Sequence, residues 1–131
     1  MIELTYVDAI NSLRPNALFG VVQNNYDSIE WFDTEQTKPT QSEIDDELLR
    51  INNELKLDYI RNKRNELLIE SDKYSLSDFP HSSDDIKQSW LSYRQSLRDI
   101  TNNLNLSGIT IGFNDLGDIV INNLTWPTPP S

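Results

Sequence analysis

The sequence predicts an α+β fold, and three observations carry that prediction. Apolar residues recur at helical spacing behind explicit N-terminal caps. Short β-branched runs come in pairs separated by Asn-, Asp- or Gly-rich turns. Between Pro39 and Pro80 no Gly or Pro interrupts the chain, leaving room for one long helix. The expected order is a small N-terminal helix and β-hairpin over residues 1–39, then a long helical stem over 40–70 with a short coiled-coil segment. Residues 71–131 follow as a C-terminal region holding a helix, a short β-hairpin and a Pro-rich tail.

Thr5 reads as the N-cap of the first helix, with Asp8 placed near the first-turn amides and Ile10 and Leu13 at helical spacing. Pro15 stops it. Two apolar runs, Ala17 to Val22 and Ser28 to Phe32, flank the polar Gln23–Asp27 segment, the pattern of a β-hairpin with Trp31 anchoring its buried face.

Thr40-Gln-Ser-Glu43 is a capping box, in which hydroxyl and carboxylate satisfy each other's orphan amides. The helix that starts there carries Ile44, Leu48, Ile51 and Leu55 at intervals of four, three and four and should run to about Glu70. Such a stripe serves either as an oligomer seam of two or three coiled-coil turns or as a face packed on the chain's own hairpin, and the spacing is shared by both. Asn52 and Asn53 flank it, and the stretch beyond Lys56 is strongly charged, which excludes a long zipper.

A connector rich in Ser and Asp leads to Ser82-Ser-Asp-Asp85, which caps a further helix ending near Asn102 and Asn103. Its stripe is Ile86, Trp90, Tyr93, Leu97 and Ile100, placing two large aromatics on one face. Ile109–Ile111 and Ile119–Ile121, joined by a turn from Gly112 to Gly117, form the second hairpin. Being apolar and β-branched, it needs a cover, from the helices or from a partner. Trp126-Pro-Thr-Pro-Pro130 is extended and polyproline-like.

With 131 residues, 37% hydrophobic and 24% charged, the chain fits one domain or one small domain with helical extensions. A net charge of −10 disfavours nucleic acid and anionic membrane surfaces, which are bound through clustered Lys and Arg. The absence of Cys removes disulfides, thiolate metal sites and Cys nucleophiles. Met1-Ile-Glu-Leu-Thr is unlike a secretory leader, and no run approaches a membrane span, so a soluble protein that starts in the cytoplasm is expected.

No catalytic constellation emerges. His81, the single His, has no orienting partner and reads as exposed or capping; Asp115 and Asp118 belong to a turn; the adjacent Asp45 and Asp46 point to different helix faces. Phosphate-loop, zinc-protease and hydrolase motifs are missing. The expectation is a protein that is not an enzyme and carries no cofactor or metal. Arg94 and Arg98, four residues apart beside the aromatic stripe, stand open between two roles. They either line a helix surface with Asp85 and Asp99 as local partners, or hold carboxyl and carbonyl groups of the connector or of a bound chain.

Arg64-Asn-Glu-Leu-Leu-Ile-Glu-Ser-Asp72, then Trp90-Leu-Ser-Tyr-Arg-Gln-Ser-Leu-Arg-Asp-Ile100, then Trp126-Pro-Thr-Pro129, in that order, resemble the phage tail assembly chaperone family over residues 60 to 130. The front, with Ala9 to Pro15, Ile29 to Gln36 and Pro39 to Glu43, looks like the small N-terminal module of related phage tail proteins. Two features depart from the family pattern. Lys73 stands where an aromatic usually follows the Ser-Asp pair, with Tyr74 one place later, and the final segment is longer, setting Leu104 to Asn123 apart as a partner-specific addition.

The resemblance implies a factor that binds the distal part of a trimeric phage tail fibre and assists its folding or trimerisation in the host cytoplasm. The motif core or partner-binding set is Trp90, Tyr93, Arg94, Leu97, Arg98, Asp99, Trp126 and Pro127, with Trp126 docking near Trp90 to hold the tail down; Ile44, Leu48, Ile51 and Leu55 are the candidate homo-oligomer seam. The competing readings are a structural virion component, a fibre adaptor or tip protein that stays bound in the tail fibre, and an acidic inhibitor that mimics DNA.

Overall fold

The capping signals and hairpin patterns are realised as three helices and two antiparallel β-hairpins in a computed structural model describing all residues from Met1 to Ser131. Helix α1 spans Tyr6–Leu13, strands β1 and β2 span Phe19–Val21 and Ile29–Trp31, and helix α2 spans Gln41–Ser71. Helix α3 covers Asp84–Arg98, and strands β3 and β4 cover Thr110–Phe113 and Ile119–Asn122. The fold is α+β, as its patterning predicts. Contacts divide the chain into two compact units, Met1–Leu55 and Lys56–Ser131. The division falls inside α2, so the stem expected over 40–70 supplies residues to both units.

In the first unit, the Asp8 carboxylate accepts from the Thr5 amide at 2.8 Å, fixing the start of α1. The helix stops before Pro15, and the chain turns through Asn16 in the left-handed region, φ 63°. Strands β1 and β2 pair in the register Phe19 to Trp31, Gly20 to Glu30 and Val21 to Ile29. Their connection is tied by Asn25, whose side chain accepts from the Ser28 amide at 3.0 Å. Trp31 stacks on Phe19 at 6.0 Å and donates its indole N–H to the Gln36 carbonyl at 3.1 Å, the anchoring role its sequence context predicts. At the start of α2 the capping box forms in both directions: the Thr40 amide donates to Glu43 at 3.0 Å and the Glu43 amide to the Thr40 hydroxyl at 3.1 Å.

The core of this unit is Ala9, Ile10, Ile29 and Ile44, with Leu48 and Ile51 packed against it. The apolar stripe of α2 contributes to this core, the second of the two roles open to it. Ile44, Leu48 and Ile51 face the unit's own α1 and hairpin, and Leu55 is half-buried. The physical reason is that a stripe at spacings of three and four fits any apolar face, and the nearest one belongs to the same chain. Asn52 also works within the unit: its carboxamide accepts from the Leu4 amide at 2.6 Å and donates to the Leu4 carbonyl at 3.2 Å, pinning the N-terminal segment.

In the second unit, Ile60, Leu97, Ile109 and Ile111 are buried. The Ser83 hydroxyl accepts from the Ile86 amide at 3.3 Å and starts α3. That helix ends at Arg98, earlier than the Asn102–Asn103 pair predicted; the chain leaves it through a series of turns, with Asn103 at φ 58°. Strands β3 and β4 pair Thr110 with Asn122, Ile111 with Ile121, Gly112 with Val120 and Phe113 with Ile119. The Asn114 side-chain oxygen closes their loop by accepting from the Leu116 and Asp118 amides, each at 2.9 Å, and Gly117 supplies the positive φ of 83°. No helix of the protein is long and apolar enough to cross a membrane.

Candidate functional site

Helix α3 places Trp90, Tyr93, Arg94 and Leu97 on one face by their spacing of three, one and three. Leu97 is fully buried, and Tyr93 and Arg94 are each 7% exposed. A cation so deeply placed must have its donors satisfied. One Arg94 terminal nitrogen donates to the Leu68 carbonyl and to the Ser71 hydroxyl, and the other donates to the Asp72 carboxylate, each at 2.7 Å. Only Nε, buried as well, lacks a partner.

The acceptors are what the end of α2 has to offer. The last carbonyls of a helix have no intrahelical donor and carry its partial negative charge, so a guanidinium there is favoured twice. Ser71 donates its own hydroxyl to the Leu67 carbonyl at 2.9 Å, which leaves its oxygen free to receive Arg94. Arg94 thus clamps the end of α2, at Leu68 and Ser71, and Asp72 just beyond it, onto α3. Of the two roles left open for this arginine, the structure selects the one that holds the connector.

Aromatic rings extend the clamp. Tyr74 stacks on Trp90 with centroids 3.8 Å apart and planes 12° apart, and Trp90 meets Tyr93 edge-on at 5.7 Å. Phe79 packs edge-on against Tyr74 at 4.9 Å. His81, expected to be exposed or capping, is half-buried; its ring lies 4.6 Å from Phe79 and its Nε2 is 2.9 Å from the Tyr74 carbonyl oxygen. Burial, and then the nearby Glu70 carboxylate, push the Tyr93 phenol above its ordinary pKa.

Trp126 and Pro127 line the same 480 Å³ apolar cavity as Trp90, Tyr93 and Tyr74. The tail therefore lies against the clamp, as the aromatic pairing leads one to expect. A second cavity, of 610 Å³, opens between α2 and the β3–β4 hairpin, where Tyr59 and Glu66 face Ile119 and Ile121, with Trp126 shared between the two cavities.

Six of the eight residues expected to form the motif core are brought together: Trp90, Tyr93, Arg94, Leu97, Trp126 and Pro127. Arg98 and Asp99 are not among them. Both are exposed; Arg98 donates to Gln95 at 3.2 Å and Asp99 accepts from the same Gln95 at 3.2 Å. Arg98, turned to solvent at the end of α3, forms no ion pair with either Asp85 or Asp99. Ser71, Asp72, Tyr74 and Phe79 belong to the assembly although sequence reasoning left them out of the site. Their signal was the Ser-Asp pair at the C-terminal end of a helix with no Gly to stop it, and two aromatics inside a connector rich in Ser and Asp.

The apolar face of the β3–β4 hairpin is only partly covered. Ile109 and Ile111 are buried at its base, whereas Phe113 and Ile119, the next pair along the same face, are exposed. Leu116 at the tip is 86% exposed. No group of three or more acidic or His side chains converges in a way that could hold a metal ion.

A family model for phage tail assembly chaperone proteins matches residues 57–131. The match runs through Leu104–Asn123, the segment expected to be an addition, and its first residue lies next to the start of the second compact unit. Comparisons with curated proteins and with solved structures gave no match. Since the family model covers more than half of the chain and falls on the unit built around the Arg94 clamp, the chain belongs to the phage tail assembly chaperone family.

Proposed function

We propose that the chain assists the folding or trimerisation of a phage tail fibre by covering apolar surface near the fibre's distal end, without making or breaking covalent bonds. The observation that carries this reading is the uncovered half of the β3–β4 hairpin. A loop held by the Asn114 carboxamide presents Phe113, Leu116 and Ile119 to solvent. Leaving such side chains exposed is unfavourable by roughly 25 cal/mol for each Å² that a partner would remove from water.

Fibre trimers rich in non-local β pairing must meet loop-closure and association costs while strands and edges lie open, and that exposure invites aggregation. A small hairpin with a pinned loop and a half-uncovered apolar face offers transient cover for those strands. The Arg94 clamp and the Trp126 tail have a supporting role: they hold α2, α3 and the chain end together beneath the hairpin. Action would take place in the host cytoplasm during assembly.

Coexpression with the cognate tail fibre tests the reading. Soluble trimeric fibre should accumulate with the chain and fall into the insoluble fraction without it; equal yields of soluble trimer in both would contradict it. Mass spectrometry of purified virions then separates a transient factor, absent from the particle, from a fibre adaptor present in fixed stoichiometry.

A further inference from the structure

The first unit has an apolar surface that its own core does not use. On the β1–β2 hairpin, Phe19, Val21, Ile29 and Trp31 face the core. By the alternation of strand side chains, Leu18, Gly20 and Val22 share the opposite face with Ser28, Glu30 and Phe32. A hairpin covered on one side normally carries polar residues on the other. Here Leu18, Val22 and Phe32 are 64%, 73% and 60% exposed, with the Phe32 ring lying beside Gly20.

Charge identifies what fits this face. Met1–Leu55 holds eleven acidic and three basic side chains, a net charge of −8, against ten and eight in Lys56–Ser131, a net charge of −2, which together make the −10 of the chain. All three cations of the first unit are engaged. Arg14 reaches Glu43 at 3.6 Å, Arg50 pairs with Glu47, and the Lys38 ammonium sits 4.5 Å from the Tyr26 ring centre. Glu30, exposed in the middle of the outer face, has no cation beside it. A second copy would bring Glu30 against Glu30 and −8 against −8, so like charge opposes self-association through this face.

We propose that the outer face of the β1–β2 hairpin is a docking surface for another protein whose apolar centre is ringed by Lys and Arg, and that this partner is the same tail fibre. The inference rests on the chaperone reading and adds to it a second contact, outside the segment that the family model matches. The test uses the full chain and purified cognate fibre, with Kd measured for wild type, Val22→Ser/Phe32→Ser, Glu30→Lys and a hairpin-tip control, Leu116→Ser.

The double variant should weaken binding at least tenfold, Glu30→Lys should weaken it several-fold, and added salt should weaken wild-type binding more than it weakens Glu30→Lys. Wild-type affinity in both first-unit variants, with loss only in Leu116→Ser, would overturn this inference and leave the chaperone reading standing. No binding by the wild-type chain would overturn both. Should the double variant melt below wild type, Glu30→Lys, on the exposed face opposite the core, decides the matter alone.

Discussion

The two units reach stability by different physical routes. Met1–Leu55 is organised around aliphatic side chains, Ile10, Ile29 and Ile44, and its polar groups work at the edges as caps and turn ties. Lys56–Ser131 also has an aliphatic core, but a buried guanidinium joins its two helices and an aromatic stack reinforces the joint. The comparison teaches where each unit is brittle. A core of interchangeable aliphatics tolerates repacking, whereas a clamp built on one cation with three acceptors at 2.7 Å does not.

Removing the clamp should therefore have the largest effect. Arg94→Ala strips the donors from the Leu68 carbonyl, Ser71 and Asp72, and should cost about 3–4 kcal/mol in denaturant unfolding of the second unit. Arg94→Lys, a point charge without the planar fork, should recover only part of that loss. Equal stability for Arg94→Ala and wild type would remove the distinction drawn between the units.

Next in size is the corresponding change in the first unit. Ile44→Ala leaves a cavity among Ala9, Ile10 and Ile29 and should cost about 2–4 kcal/mol, while Ile44→Leu should cost less than about 1.5 kcal/mol. Neither substitution should alter the sedimentation behaviour of the chain, since Ile44 belongs to an internal core and not to a seam between copies. A shift to a smaller species would restore the coiled-coil reading.

Deleting Trp126–Ser131 should lower the melting temperature of the second unit by several degrees, because it uncovers Trp90 and Tyr93. An unchanged melting temperature would show that the tail only rests on the clamp.

The smallest effect concerns pH and falls on the first unit. The Gln36 and Leu18 amides hold the Asp33 carboxyl below its ordinary value, and the Thr40 amide and hydroxyl do the same for Glu43. Both groups are depressed on folding, so their stabilising contribution is complete above the ordinary carboxylate values of 3.8 and 4.5 and is lost as pH falls through the lower folded values. In an acid titration followed by NMR, the Leu18, Gln36 and Thr40 amide resonances should move with midpoints below those values. Midpoints at or above them would contradict the hydrogen-bonded caps.

The same contrast explains what was legible in the sequence. Local devices were read correctly: the Thr5 and Thr40 caps, the Pro15 stop, both hairpins and the aromatic face of α3, because each is written within a few neighbouring residues. Long-range choices stayed open. Ile44, Leu48 and Ile51 could face a second copy or their own hairpin, and only the folded chain decides between them. Arg94 meets acceptors more than twenty residues away, two of which are a backbone carbonyl and a serine and carry no charge signature. Arg98 shares its residue type and spacing but turns outward. The division near Leu55 leaves no mark because α2 runs through it without Gly or Pro.

The claim on which the functional account depends is that the exposed hairpin shields a folding fibre. The most direct measurement is in vitro refolding of the denatured cognate fibre with purified chain, scoring trimer yield against aggregation by light scattering. The account predicts that yield rises with added chain and saturates at a fixed stoichiometry, and that Phe113→Ser/Leu116→Ser, folded but lacking the apolar tip, loses most of the effect. A trimer yield independent of the chain, or rescued equally by that variant, would contradict it.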